Sequence, residues 1–266
     1  MRIWQVDAFT GKPFAGNPAA VCILPEPRDA LWMQDVATEM NLSETAFVEP
    51  SGEGYGLRWF TPAVEVDLCG HATLASAHVL WEEGIADAGS DIGFDTRSGV
   101  LTCRQRTDRI EMDFPVRPVV EAEPPPGLID ALGVRPLSVG LSPVGYLIEL
   151  GSEDEVRAVT PDFARLGAIP DGWTCVTAPG GPSGFDFVSR FFAPQAGVNE
   201  DPVTGAAHCA LAHFWSTRSG RTDFRAYQCS ARGGVVHARL DGDRVHLGGQ
   251  AVTVLRGELL SGVGSS

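Results

Sequence analysis

The sequence predicts an α+β fold of two similar domains, each a curled, mostly antiparallel sheet around one central buried helix. Three observations predict it. The stretches CGHATLASAHVLW from Cys69 and TGAAHCALAHFW from Thr204 are near copies: counted from Gly70 and Gly205, both carry Ala at +2, +5 and +7 and His at +8, and they end at Trp81 and Trp215. The offset, 205 − 70 = 135, persists downstream, where Gly99, Val100, Arg104, Asp108 and Arg109 match Gly234, Val235, Arg239, Asp243 and Arg244; upstream, RWFTP from Arg58 answers RFFAP from Arg190. Both copies are followed by alternating segments that read as hairpins. A single repetition at half the chain length implies two domains facing each other, whereas repeats of roughly 20 to 50 residues would imply a solenoid.

The elements follow in order. RIWQVDAF from Arg2 and AAVCIL from Ala19 have strand composition and flank the turn-rich TGKPFAGNP. DALWMQDVATEM spaces Trp32, Val36 and Met40 four residues apart with Met33 beside them, the stripe of an amphipathic helix. TAFVEP and YGLRWF read as strands. The segments over about 71 to 81 and 206 to 215 are apolar nearly all round and should be buried helices. GVLTCRQRTDRIEMDF turns at Thr107-Asp108, and GVVHARLDGDRVHL turns at Asp241-Gly242. PVRPVVEAEPPPG looks like the linker, which puts the halves at 1–118 and 119–266; GQAVTVLRGEL supplies a last strand that can cross back to the first half, and SGVGSS should fray.

At 266 residues, with 44% hydrophobic and 20% charged residues, the chain can bury two cores of ordinary size. No apolar run approaches the ~18 residues of a membrane span, and MRIWQVDAF lacks a signal-peptide core, so a cytoplasmic protein is expected. The six cysteines are scattered without a C-x-x-C pair, which suits reduced thiols better than disulfides or a zinc site. A formal net charge of −14 argues against nucleic acid as a partner and leaves a small anion open. No G-x-G-x-x-G, G-x-x-x-x-G-K-[ST] or G-x-S-x-G motif supports nucleotide or serine-hydrolase chemistry.

Each buried helix starts just after an acid, a turn and a glycine: Asp67 to His71 in one half, Glu200 to Ala206 in the other. Helix N-termini offer free N–H groups and partial positive charge, and Gly70, Ala72, Gly205 and Ala206 let an anion approach. An approximate two-fold relation would aim both N-termini into one cleft, where a small carboxylate would sit; the ordinary alternative is tight packing with the acids as N-caps. Glu44, in NLSETAFV, has no counterpart in the second half and is a candidate general base where burial removes it from bulk water. His71 is a candidate proton donor and Asp201 a candidate for orienting a substrate group, each with a structural alternative as a first-turn histidine or a cap. His78 and His213 read as structural. Cys209 with His213 and the adjacent His208 makes a weak metal pair, and no metal is expected. Cys69 at a helix start should have a lowered pKa, but Thr204 stands at its equivalent position, so a two-thiol racemase is incomplete.

The stretches VDAFTGKPFAGNPAAVCIL, MNLSETAFVEP, RWFTPAVEVDLCGHATLASAHVL, NEDPVTGAAHCALAHFW and GGQAVTVLRGEL, in this order across almost the whole chain, resemble the PhzF-like isomerase family of phenazine biosynthesis, which has the diaminopimelate epimerase fold. The resemblance implies a cofactor-independent proton shift on a small carboxylate in the cleft between the halves, and a homodimer. By it Glu44 is the proton-shuttling glutamate, and His71 and Asp201 are the histidine and aspartate of the two motifs. Asn17, Gly70, Ala72, Gly205 and Ala206 fall at the substrate. Ala206 stands where the phenazine enzyme has serine, and the missing hydroxyl weighs against the phenazine precursor as the substrate. CGHAT also resembles the first motif of proline racemases. Two rivals therefore stand beside the one-glutamate isomerase: a Cys69-dependent epimerase or dehydratase, and a binding protein that kept the fold without the activity.

Overall fold

The computed structural model describes residues 1–52, 54–170 and 172–260 and divides into two compact units, Met1–Met112 with the C-terminal segment from Gly249, and Asp113–Gly248. The SGVGSS tail expected to fray lies outside the described residues.

In the first unit β1 (Arg2–Ala8) pairs antiparallel with β2 (Asn17–Ile23). The loop between them closes through Gly16 at φ +63°, where a Cβ would run into the Ala8 carbonyl oxygen, so only glycine fits. A crossover containing α1 (Ala30–Met40) brings β3 (Glu44–Ser51) parallel to β2. Asp29 caps α1 by accepting the Trp32 N–H at 2.9 Å, and Asn41 at φ +48° ends it. The expected stripe packs inward: Met33 and Ala37 are buried, and Trp32, Val36 and Met40 lean on Ile3, Phe47 and Phe60. β4 (Gly54–Phe60) returns antiparallel and pairs with the short β5 (Glu65–Val66). A second crossover, α2 (Gly70–Glu82), brings β6 (Ile92–Thr96) parallel to β4; β7 (Gly99–Gln105) and β8 (Ile110–Pro115) form the expected hairpin. The strand Ala251–Glu258 returns to pair antiparallel with the free edge of β1.

From His71 to Leu80 only His78 escapes full burial, because the sheet curls around α2. Its buried hydroxyls cost nothing unpaired: Thr73 Oγ1 donates to the Cys69 carbonyl at 2.6 Å and Ser76 Oγ to that of Ala72 at 2.7 Å.

The second unit repeats this order of pairings. β9 (Val120–Glu121) lies within the stretch expected to be linker and pairs with β10 (Ser138–Ser142), which corrects that expectation: the proline-rich composition left room for an edge strand. After α3 (Leu128–Leu132), β10 pairs antiparallel with β11 (Gly145–Glu149). β11 then pairs parallel with β12 (Thr174–Pro179), across α4 (Glu153–Ala158) and α5 (Phe163–Gly167). β13 (Phe187–Ala193) runs antiparallel to β12 and to the short β14 (Val198–Asp201), then α6 (Gly205–Ser219) crosses to β15 (Asp223–Gln228), parallel to β13. β16 (Gly234–Asp241) and β17 (Arg244–Gly249) close with a hairpin. Both units thus run antiparallel, parallel, antiparallel, antiparallel, parallel, antiparallel, antiparallel, with the buried helix at the second parallel step. In the second core Trp215 stacks on Phe187 at 5.8 Å and donates its indole N–H to Thr177 Oγ1 at 3.1 Å.

Candidate active site

The approach to each buried helix is braced by the same device. Arg58 on β4 grips Glu65 on β5 through two bonds of 2.7 and 2.8 Å, and Arg190 on β13 grips Glu200 on β14 at 2.7 and 2.9 Å. These are the arginines of RWFTP and RFFAP; a planar fork on a carboxylate fixes both strands in orientation as well as distance. The acid at each helix start therefore serves differently from an N-cap: Glu200 holds Arg190, and Asp67 lies exposed, 3.7 Å from Arg97.

Beyond the brace, α2 and α6 begin without a side-chain cap, whereas Asp29, Ser152 and Asp162 cap α1, α4 and α5. Cys69 offers no oxygen, and Thr204, a residue type able to cap, instead donates its hydroxyl to Asp201 Oδ2 at 2.5 Å. Gln228, fully buried, fixes that turn by accepting the Thr204 N–H at 2.9 Å and donating to the Asp201 carbonyl at 2.7 Å. The residue at +3 from each glycine clamps the carbonyl just before it: Thr73 on Cys69, and His208 through Nδ1–H on Thr204 at 2.8 Å. Each clamp fixes the peptide plane that presents the glycine N–H at a start where no side chain accepts it.

Glu44 opens β3 where Asn41 has ended α1, level with Ala19 of β2; Asn17 lies two residues before Ala19, fully buried. Across from it stands His71 in the first turn of α2, with Nε2 3.1 Å from Glu44 Oε2. The approach is that of an ion pair without hydrogen-bond alignment, so Glu44 Oε2 is buried with no hydrogen-bond partner, although the side chain as a whole keeps 19% exposure. Cys69 Sγ lies 3.6 Å from Nδ1 and 4.0 Å from Nε2 of the same ring. Burial works against a charged His71, and the Glu44 carboxylate 3.1 Å away works for it, so that its pKa is raised above the ordinary imidazole range. The Cys69 expectation is reversed. Burial, followed by the Glu44 charge, pushes the thiol up to about 11, against the pull of His71, because the helix start that was to stabilise a thiolate is sealed from water.

The structure thus brings Glu44 against His71 in the α2 turn that holds Gly70 and Ala72, with Asn17 on the neighbouring strand β2, and groups Asp201, Gly205 and Ala206 at the start of α6 in the second unit. His78 contacts Thr253 at 3.1 Å and His213 accepts the Val119 N–H at 3.2 Å, both away from the helix starts. Burial drives the His208 pKa down to about 4, so the ring is neutral, and its Nε2 has no hydrogen-bond partner. A cleft of about 450 Å³ in the first unit, lined by His78, Trp81, Glu82, Arg106, Arg109 and Gln250 among others, contains none of the site residues. Gln228 and the Thr73 and His208 clamps were missed in the sequence; Thr73 and His208 share a repeat position, but their different chemistry hid the common role.

A family model described as phenazine biosynthesis-like protein matches residues 6–257. An isomerase of Halalkalibacterium halodurans is 54% identical over 259 residues, 97% of this chain and 98% of that one. The crystal structure of a PhzF-family protein from Enterococcus faecalis superposes with a TM-score of 0.93 at 40% identity, covering 98% of this chain and 99% of that one. A probable proline racemase from Agrobacterium radiobacter K84 shares the fold alone, with a TM-score of 0.65 at 11% identity over 97% and 92% of the two chains. With its motifs, its duplicated architecture and its near relatives in agreement, the chain belongs to the phenazine biosynthesis-like family of isomerases.

Proposed function

We propose that this isomerase moves a proton between two carbons of a small unsaturated carboxylate, with Glu44 as the single base and no cofactor. The observation that carries the reading is the buried Glu44 Oε2, without a hydrogen-bond partner and ion-paired 3.1 Å from His71 at the uncapped start of α2. The substrate carboxylate would take the first-turn N–H groups of α2 around Gly70 and Ala72, where developing negative charge is also stabilised. Glu44 takes the proton from the acidic carbon, the electron pair delocalises toward the carboxylate, and Glu44 returns the proton to a second carbon on the same face. As Glu44 is neutralised, His71 loses the charge that held its own proton, so its N–H becomes the stronger donor when the intermediate carries most charge. Asn17 is assigned to substrate polar groups, as are Asp201, Gly205 and Ala206 at the second uncapped start. The thiol rival is not favoured: Cys69 keeps its proton at neutral pH, and the Thr204 hydroxyl at the equivalent position is engaged by Asp201.

In heavy water, a panel of cyclic and unsaturated amino and hydroxy acids should show a compound that gains carbon-bound deuterium. Glu44→Gln should lower that exchange by at least about 100-fold, and Cys69→Ser should leave it within a few-fold; exchange that follows Cys69 instead would transfer the role to the thiol. The cellular setting belongs to the same proposal: a cytoplasmic enzyme acting on an anionic metabolite. Its support is six free, buried cysteines and, among the described residues, no helix long and apolar enough to cross a membrane. The homodimer rests on family resemblance, and sedimentation checks it.

A further inference from the structure

Cys69 takes no part in this proton shift, yet its sulfur is packed against the two residues that do. One Glu44 oxygen, Cys69 Sγ and one His71 ring nitrogen lie within 4.8 Å of one another. Oε2 and Nε2 are 3.1 Å apart, and Sγ and Nε2 are 4.0 Å apart. A tetrahedral zinc ion, with Zn–S near about 2.3 Å and Zn–N or Zn–O near about 2.0–2.2 Å, separates its ligand atoms by roughly 3.3–3.6 Å. The cluster reaches that shell by side-chain adjustments of about 1 Å, with the metal taking the place of the ion pair between Glu44 Oε2 and His71. Among the described residues no other set of three His, Cys, Asp or Glu side chains converges in this way, including Cys209 with His208 and His213.

We propose that Glu44, Cys69 and His71 form a binding site for a thiophilic divalent cation of the zinc class, with the fourth position open to water. The mixed sulfur, nitrogen and oxygen set selects such an ion over magnesium or calcium. Binding breaks the Cys69 S–H bond and the His71 Nε2–H bond, forms metal–sulfur and metal–nitrogen bonds and releases both protons to solvent, with no change of oxidation state. The functional consequence rests on Glu44 being the base: the ion occupies the lone pair that must accept the substrate proton, so it inhibits the enzyme reversibly.

Cobalt(II) added to the metal-free protein tests the site without any substrate. Wild type should take up one ion, with the visible bands of tetrahedral cobalt and a near-ultraviolet thiolate-to-cobalt band, both displaced by zinc. Cys69→Ser should lose the near-ultraviolet band, and Glu44→Gln should keep it with affinity lowered by at least about tenfold. Cys103→Ser, which alters a buried thiol elsewhere, should behave as wild type, and circular dichroism checks the folding of each variant. No cobalt uptake by folded wild type, or a near-ultraviolet band that survives in folded Cys69→Ser, overturns the site while leaving the proton shift standing. Unchanged affinity in Glu44→Gln does the same. A normal cobalt spectrum with exchange insensitive to Glu44→Gln would overturn only the inhibitory consequence.

Discussion

Glu44 stands out as a candidate because it breaks a repeat: in a duplicated frame it is a residue without a counterpart. What surrounds it was not legible. Cys69 and His71 are two residues apart, and nothing in that spacing says that the sulfur and the Glu44 carboxylate meet at one ring; that depends on where β3 and α2 begin in space. His208 offers the cleanest test at this scale. Its folded pKa of about 4 lies below the unfolded value, so between pH 6.5 and 4 the unfolded state binds more protons and stability falls as pH falls. From this one group the loss should reach about 2 kcal/mol by pH 5. Urea unfolding at pH 7 and pH 5 should show that His208→Gln loses less stability than wild type over this interval; equal losses would mean that the folded pKa of His208 is not depressed.

The two buried helices were legible as elements, since Ala at +2, +5 and +7 gives a helix small enough to sit inside a curled sheet. Their starts were only half legible. The glycines were read as anion approaches, with N-caps as the alternative role for Asp67, Glu200 and Asp201, and the braces were not foreseen: the structure pairs Glu65 with Arg58 and Glu200 with Arg190, and both helix starts have no side-chain cap. A lysine keeps the charge but not the fork, so Arg58→Lys and Arg190→Lys should each cost about 1–2 kcal/mol in urea unfolding. Asp29→Ala, which removes an ordinary N-cap, should cost about 1 kcal/mol. If the lysine variants match wild type, the braces orient nothing that matters to stability. The elements between residues 128 and 186 were not legible one by one, because α3, α4 and α5 are five or six residues long, too short for periodicity to declare itself.

At the scale of the whole chain, the duplication read from an offset of 135 reappears as one order of strand pairings carried out twice, each time with a helix crossover at both parallel steps. The fold class could be read because sequence identity between the halves survives where packing is tightest, around the central helices. The proposed site residues are not duplicated with it: Glu44 and His71 belong to the first unit and Asp201 to the second. The proposed single glutamate, largely shielded from solvent, predicts that a fraction of the protons it removes is returned before exchange with water. The decisive measurement uses the exchanging compound labelled with deuterium at the donor carbon and turned over in ordinary water. Appearance of that label at the acceptor carbon of the product, above the solvent-derived background and lost in Glu44→Gln, is the result expected. Complete washout to solvent at the first turnover, with product still formed, would contradict direct return of the proton by Glu44.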